Sequence, residues 1–378
     1  MRPHLCLLTL LAAPLLAQTA APATPALKWR GSFWASAVVQ DQDTADGSRF
    51  LSPVDAGGKS LSVDGLTLGA DLDLGKGWSL RTTLLGGHAA KVLNAASAET
   101  GSLALSEAQL VWTGEKDTIR LGRMNTFLGM EFLDGPANLT ASRGLLFSFA
   151  DPFGQVGVNW HHAFSPAWST DLFLFNGEDR IKDNNRGKTA GLALTYNHGG
   201  AADKYLSLHV YRGAEQDGFG ANRIPGEEGR ARTRFAGMGQ WVWGPATLVW
   251  EASFAREPLG PGMVADAPAD ATASWGGAGF IFRLAFSDRW GAYLRAEQFS
   301  DDTGLRFAGD PTVAAAFPPK WKADLKSTNL TLGLDRKLGP VTIRLEARND
   351  SLNRAVKDAE GSAFKNGFSF GVGVAAAF

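Results

Sequence analysis

The chain has 378 residues, 37 Lys plus Arg against 38 Asp plus Glu, a formal net charge of −1 and one cysteine. Balanced charge implies no nucleic-acid partner, and with Cys6 alone there is neither a disulfide framework nor a thiolate metal site. The 45 Gly, 12 Trp and 23 Phe, at a mean hydropathy of −0.10, are odd for a soluble secreted enzyme but suit a wall in which only alternate residues meet oil.

Met1-Arg2-Pro3-His4 is a short basic start, and Leu5 to Leu16 is an apolar run too short to span a membrane. With small residues at Ala17 and Ala20, residues 1–20 read as a signal peptide cut near 17–20, and 21–26 as a short periplasmic lead. No later apolar run is long enough for a transmembrane helix.

From Leu27 an alternating cadence begins. In Leu27 to Gln40, Trp29, Phe33, Ala35, Ala37 and Val39 share one face while Arg30, Ser32 and Ser36 share the other, the period of a strand. After a polar loop at 41–60, Leu66 to Leu74 alternates against Thr67, Gly69, Asp71 and Asp73. Gly75-Lys76-Gly77 joins it to a third segment, Trp78 to about Ala90, as a hairpin. Gly101 to Thr113 slips its alternation near Ser106, which predicts a bulge, and turns at Gly114-Glu115-Lys116 into Asp117 to Met124. The pairs 154–164 with 168–176, 188–197 with 204–213, 232–243 with 246–254, 274–286 with 290–299 and 325–337 with 341–350 follow, and Gly367 to Phe378 is last.

These make about 16 strands, with short turns on one side and long loops (41–60, 91–100, 125–153, 177–187, 214–231, 257–273, 301–324, 351–366) on the other. A strand of about 11 residues at roughly 3.3 Å each, tilted near 40°, spans close to a 25 Å apolar band. Trp29, Trp78, Trp112, Trp168, Trp243, Trp290 and Phe378 fall near strand ends, where interfacial aromatics belong. The expected fold is all-β, a transmembrane antiparallel up-and-down barrel over 27–378; a secreted β-sandwich is the competing architecture.

Such a barrel would line its lumen with the polar strand faces. Arg120, Glu251, Arg283, Arg295, Glu297, Arg344, Glu346 and Arg348 lie on them, as do Arg30, Asp71, Asp73, Arg81 and Glu107. Two roles are open to these charges: ion pairs that stiffen the wall, or sorting of solutes. The connection 125–153 is too oily for a plain outer loop, with Phe127, Leu128, Met130, Phe132, Leu145, Leu146, Phe147 and Phe149. Folded into the lumen it would place Glu131, Asp134, Arg143 and Asp151 in the passage; packed over the outer mouth it would not.

This stretch carries a resemblance. Leu121-Gly122-Arg123-Met124-Asn125-Thr126-Phe127-Leu128-Gly129-Met130-Glu131, then Asn138, Ser142-Arg143, Ala150-Asp151-Pro152-Phe153 and Gly157-Val158 resemble the OmpL-like beta-barrel porin 2 family of outer-membrane channels. That family shows a glycine-basic-aromatic strand end, T-x-x-G-x-E, an asparagine and a Ser-Arg pair, then Pro-Phe and Gly-Val. Met124 stands where an aromatic is usual, and the motif covers residues 121–158. The resemblance implies passive diffusion and brings no catalytic residues and no cofactor. Phosphate-selective porins are similar in style, but no cluster of lysines in one loop supports that preference. By analogy with general porins of 16 strands, a homotrimer is the matching assembly.

Enzyme motifs fare worse. Gly367-Phe368-Ser369-Phe370-Gly371 satisfies G-x-S-x-G but lies inside a strand, not at a strand-turn-helix elbow. Gly371-Val372-Gly373 has no helix after it to hold phosphate. Adjacent His161 and His162 point to opposite faces and cannot chelate one ion together. Ser207 and His209 share a strand face, which leaves a barrel lipid hydrolase as the enzyme alternative; a structural or adhesive barrel is the other. The expected function is diffusion of small hydrophilic solutes or ions across the outer membrane, with membrane lipid as the surrounding partner.

Overall fold

The computed structural model describes residues 26–42, 44, 47–218, 224, 226 and 229–378. The expected signal peptide and its cleavage position lie outside the described residues. Among those residues sixteen strands follow in order: β1 (Leu27–Gln40), β2 (Ser60–Gly75), β3 (Trp78–Gly86), β4 (Leu103–Thr113), β5 (Asp117–Asn125), β6 (Gly154–Ala163), β7 (Trp168–Phe175) and β8 (Thr189–Asn197), then β9 (Lys204–Ala214), β10 (Ala231–Trp243), β11 (Ala246–Pro258), β12 (Thr272–Ala285), β13 (Trp290–Asp301), β14 (Leu325–Leu338), β15 (Val341–Lys357) and β16 (Ala363–Ala377). Each pairs antiparallel with its sequence neighbours, and β1 also pairs with β16, Ser32 opposite Ala377 and Gln40 opposite Ser369. The barrel is therefore closed, with no edge left to pair.

The sheet is inside out relative to a soluble barrel. On β14 the outward Leu330, Leu332 and Leu334 are exposed, while inward Asn329, Thr331 and Asp335 are buried. On β16, Phe368 and Phe370 are exposed around a buried Ser369. Covering such a side chain gains roughly 1.5–3 kcal/mol, so this outer face is stable against lipid and not against water. No described helix is long and apolar enough to cross a membrane; the strands form the wall.

The bulge near Ser106 is present: Thr83 pairs with Glu107 and Leu84 with Leu105, so Ser106 is the extra residue. Two expectations change. The third strand stops at Gly86, and His88–Ala96 is an α-helix, α1, which takes up most of the loop expected at 91–100. It buries Ala89, Ala90 and Leu93 against Trp34, Leu85 and Ala104. Also, β2, β11, β15 and β16 run further on the long-loop side than their apolar alternation. Backbone pairing there continues above the oil, where outward side chains no longer need to be apolar. The tryptophans expected at strand ends, Trp29, Trp78, Trp112, Trp168, Trp243 and Trp290, all lie at the short-turn end. Trp34 points inward instead, and a Cβ on Gly135 would stand 2.4 Å from its ring, so only glycine lets the 126–153 segment pass that close.

Candidate functional site

The 126–153 segment leaves β5 and returns to β6 through a short 3-10 turn at Gly135–Ala137 and a π-helical turn at Leu146–Ala150. Its contacts are with the inner wall. Three wall carboxylates accept its backbone N–H groups: Glu251 from Met130 (3.0 Å), Glu297 from Leu145 and Leu146 (2.9 and 3.2 Å), and Glu346 from Ala141 and Ser142 (3.0 and 3.2 Å). The Ser142 hydroxyl also donates to Glu346. Such charge-assisted bonds are the strong class, and they satisfy backbone donors that a buried loop would otherwise orphan.

Arg295 is the hub of this arrangement and is fully buried. It donates to Glu131 (2.8 Å), the Ser142 carbonyl (2.6 Å) and hydroxyl (3.0 Å), Asn329 (3.1 Å) and Thr331 (3.0 Å), and lies 3.4 Å from Glu297. Glu131 in turn accepts from Thr140 (2.8 Å) and the Gly144 N–H (2.6 Å). Arg348 donates to the Arg143 carbonyl and is paired with Asp350 at 2.6 Å; Arg344 donates to the Asn138 carbonyl. Arg143 does not reach into open space: it donates to the carbonyls of Phe132 (3.2 Å) and Leu133 (2.8 Å), closing its own loop. Asp134 accepts from Ser32 at 2.6 Å, and burial pushes its carboxyl above the usual range. Asp151 sits 3.9 Å from Arg234 and is likewise pushed up by burial.

Of the eight strand charges expected to line the lumen, Glu251, Arg295, Glu297, Glu346 and Arg348 therefore lie beneath the segment, not in water. They are anchors. Arg283 is held by Asp335 through two bonds (2.9 and 2.7 Å), and Arg344 is mostly covered. Arg120, half-buried, stands on the other side of the lumen beside Asn159 (2.6 Å).

That side, β1 to β7, is the wetter wall. The Arg81 side chain is 50 % exposed and pairs with Asp71 at 2.9 Å; Arg30 lies 3.4 Å from Asp71 and 3.1 Å from Glu107. Next along, Asn159 links Arg120 to Asp171 (3.0 Å), which also meets His161 at 3.1 Å. The result is a ladder of alternating charges facing the clamped segment across the lumen.

Several participants were not singled out from the sequence. Residues 47–60 and 301–324 also fold inward: Arg49 donates to Ser369 (2.7 Å), Asp55 accepts the Arg143 N–H (3.0 Å), and Phe307 packs on Phe149 at 4.9 Å between ring centres. Phe50, Leu51, Phe307 and Val313 inside otherwise polar loops were the available signal, since all four are buried. Arg234 is buried too, donating to Glu178 (2.6 Å) and the Ala150 carbonyl (2.6 Å).

The enzyme alternative finds little support in geometry. Ser207 and His209 are 2.8 Å apart, but both are buried and inward, and the far ring nitrogen of His209 meets the Tyr211 hydroxyl at 3.3 Å where a triad would have a carboxylate. His161 and His162 go separate ways, to Asp171 and Asp117. Among the described residues no group of three His, Cys, Asp or Glu side chains is placed to hold a metal ion.

One carboxyl beside the lumen sets a pH dependence. Glu215, just beyond β9, accepts the Glu178 N–H (2.9 Å) and the Thr189 hydroxyl, and burial pushes it from 4.5 up to about 8. Its proton is bound in the folded barrel and absent from the unfolded chain between those values. The stability it contributes is thus full below about pH 4.5 and is lost as pH rises through about 8, at no more than about 1.4 kcal/mol per pH unit. Thermal unfolding in neutral detergent is expected to show the wild type losing stability relative to Glu215→Gln between pH 5 and pH 9. Parallel curves for the two proteins would contradict this.

Comparison with known proteins agrees with the architecture. No curated protein sequence matches the chain. Among solved structures, the anion-selective porin from Comamonas acidovorans superposes with a TM-score of 0.58 at 12 % identity, covering 94 % of this chain and 100 % of that one. OmpT of Vibrio cholerae in its trimer form gives 0.58 at 10 % identity over 94 % and 100 % of the two chains, and Salmonella typhi OmpF gives 0.59 at 10 % over 93 % and 97 %. At these identities the likeness is one of fold. The family model of the beta-barrel porin-2, OmpL-like proteins matches residues 34–378, nearly all of the closed wall and its inward segment, and the chain belongs to that family.

Proposed function

We propose that this outer-membrane porin lets small hydrophilic solutes and ions diffuse passively through its lumen, along the passage between the 126–153 segment and the charge ladder of β1 to β7. The observation that carries this reading is the division of the inner wall. One arc is dry and holds the segment; the other keeps Arg30, Asp71 and Arg81 partly in water. A hydrated lumen removes the dehydration cost of crossing lipid, the bulk of the segment sets the size limit, and the ladder's charges bias which ions enter. Because both signs alternate within it, the ladder offers polar solutes donors and acceptors without a strong preference for one ion charge. A homotrimer is the assembly we infer, supported by the fold shared with OmpT in its trimer form.

Single-channel recording of the refolded barrel in a planar bilayer tests this. Open steps of nanosiemens scale are expected, with a small reversal potential in a salt gradient. A heat-modifiable barrel that stays electrically silent would sink the diffusion reading and leave a structural or adhesive role.

A further inference from the structure

Beside the inward segment lies a cavity of about 220 Å³ that the diffusion reading does not use. Its walls come from the end of α1 (Ala96), the segment itself (Ser148, Asp151), the 177–187 loop (Glu178, Arg180) and the 301–324 loop (Arg306). The volume is that of roughly seven waters at about 30 Å³ each, enough for a small organic solute.

The charges around it are unevenly matched. Arg232 is held by Glu178 (2.6 Å) and Glu257 (2.9 Å), and Arg180 approaches Asp217 at 3.8 Å. Arg306 is different. Its Nε donates to the Phe149 carbonyl at 2.6 Å and its guanidinium lies 5.5 Å from the centre of the Trp275 ring, whose other neighbour is Arg232 at 5.2 Å. Among the described residues no carboxylate comes within ion-pair distance of it, so Arg306, which lines the cavity, has no ion-pair partner there. Burial, with Arg232 and Arg234 nearby, pushes its guanidinium down against the opposing pull of Glu178 and Asp179.

None of the acids facing the cavity lies within ion-pair distance of Arg306. Asp179 accepts the N–H groups of Phe153 (2.6 Å) and Gly154 (3.0 Å) on Oδ1, Glu215 accepts from Glu178 and Thr189, and both buried oxygens of Asp151 have no hydrogen-bond partner among the described residues. Burial pushes Asp179 up to about 6 and Glu215 up to about 8, and raises Asp151 as well. Glu178, although burial works the other way, is held well below the usual range chiefly by Arg234 and Arg232, with Arg306 adding to them.

We propose that this cavity is a solute-binding site for the carboxylate of a small organic monoanion, gripped by the fork of Arg306 over the Trp275 ring. A planar carboxylate matches a guanidinium fork in two parallel bonds. Inorganic phosphate carries more charge than one guanidinium offsets, and Glu178, Asp179 and Asp151, which oppose any anion here, oppose it more than a monoanion. The site deepens the diffusion reading by naming a substrate class, and its occupancy can be measured without any current.

The test is calorimetric titration of the refolded full-length barrel in neutral detergent with sodium benzoate, and separately with inorganic phosphate. Saturable benzoate binding is expected, with phosphate weaker at pH 7. Arg306→Gln should weaken benzoate at least about tenfold through the lost charge-assisted bonds, Arg306→Lys by less, and Arg354→Gln, a cation stacked on Phe317 outside the cavity, not at all. If Arg306→Gln does not refold, Ala96→Phe fills the cavity from the α1 end and carries the same expectation. Absent binding, equal binding by the Arg306 or Ala96 variants, or tighter phosphate would each overturn the proposal. A silent channel that still binds benzoate removes the diffusion reading alone; an open channel that ignores benzoate removes this one alone.

Discussion

Arg295→Met is expected to free the 126–153 segment from the wall, seen as a larger single-channel conductance and as cleavage within 126–153 by added protease. The guanidinium sits between Glu131 and Glu297 and makes bonds to Ser142, Asn329 and Thr331 besides. Methionine fills comparable space but leaves both carboxylates buried without countercharge. Breaking a buried pair in this way costs about 3–5 kcal/mol, because the remaining charge is uncompensated. At about 1.4 kcal/mol per decade, the docking equilibrium shifts by two to more than three decades. The wall itself should survive, since the β12 to β14 ladders are backbone bonds that do not pass through the side chain. Unchanged conductance together with an uncleaved segment would show that Arg295 is not the clamp.

Leu332→Arg addresses the opposite face. Leu332 points outward near the middle of β14 and is 57 % exposed. In a soluble protein, changing so exposed a side chain alters stability by less than about 0.5 kcal/mol. In a bilayer, an outward arginine at the midplane costs about 2–4 kcal/mol, falling to about 0–1 near the interface. Urea unfolding in phospholipid vesicles, followed by tryptophan emission, should therefore separate Leu332→Arg from Leu338→Arg, which lies outward on the same strand at the turn end. Equal and negligible costs at the two positions would contradict the membrane orientation.

How much of this was legible in the residues follows from what periodicity reports. Alternation records which residues share a face of one strand, so β1, β14 and β16 and the short turns between hairpins could be read directly, and a slip in the alternation marked the Ser106 bulge. It says nothing of what covers a face. Glu251, Glu297 and Glu346 could be placed inward, yet whether water or protein met them depended on a loop more than a hundred positions away in sequence. Arg234 and Arg306 were invisible for the same reason, since their partners Glu178 and Phe149 lie in distant loops. Helix α1 escaped notice because HAAKVLNAA is short, follows directly on a strand and has no side-chain cap at Gly87 to announce its start.

The clamp also has a place in time. The three wall carboxylates that grip the 126–153 segment, Glu251, Glu297 and Glu346, and both arginines that hold Ser142 belong to β11, β13 or β15. The segment is thus made long before these three strands that receive it. Through export and early assembly, Leu145, Leu146 and Phe149 have no dock, and whatever escorts the unfolded chain must shield them. Narrowing of the lumen is consequently a late act in the barrel's biogenesis, coupled to arrival of the C-terminal strands; a chain that ends before β13 would carry the segment with no Arg295 to receive it.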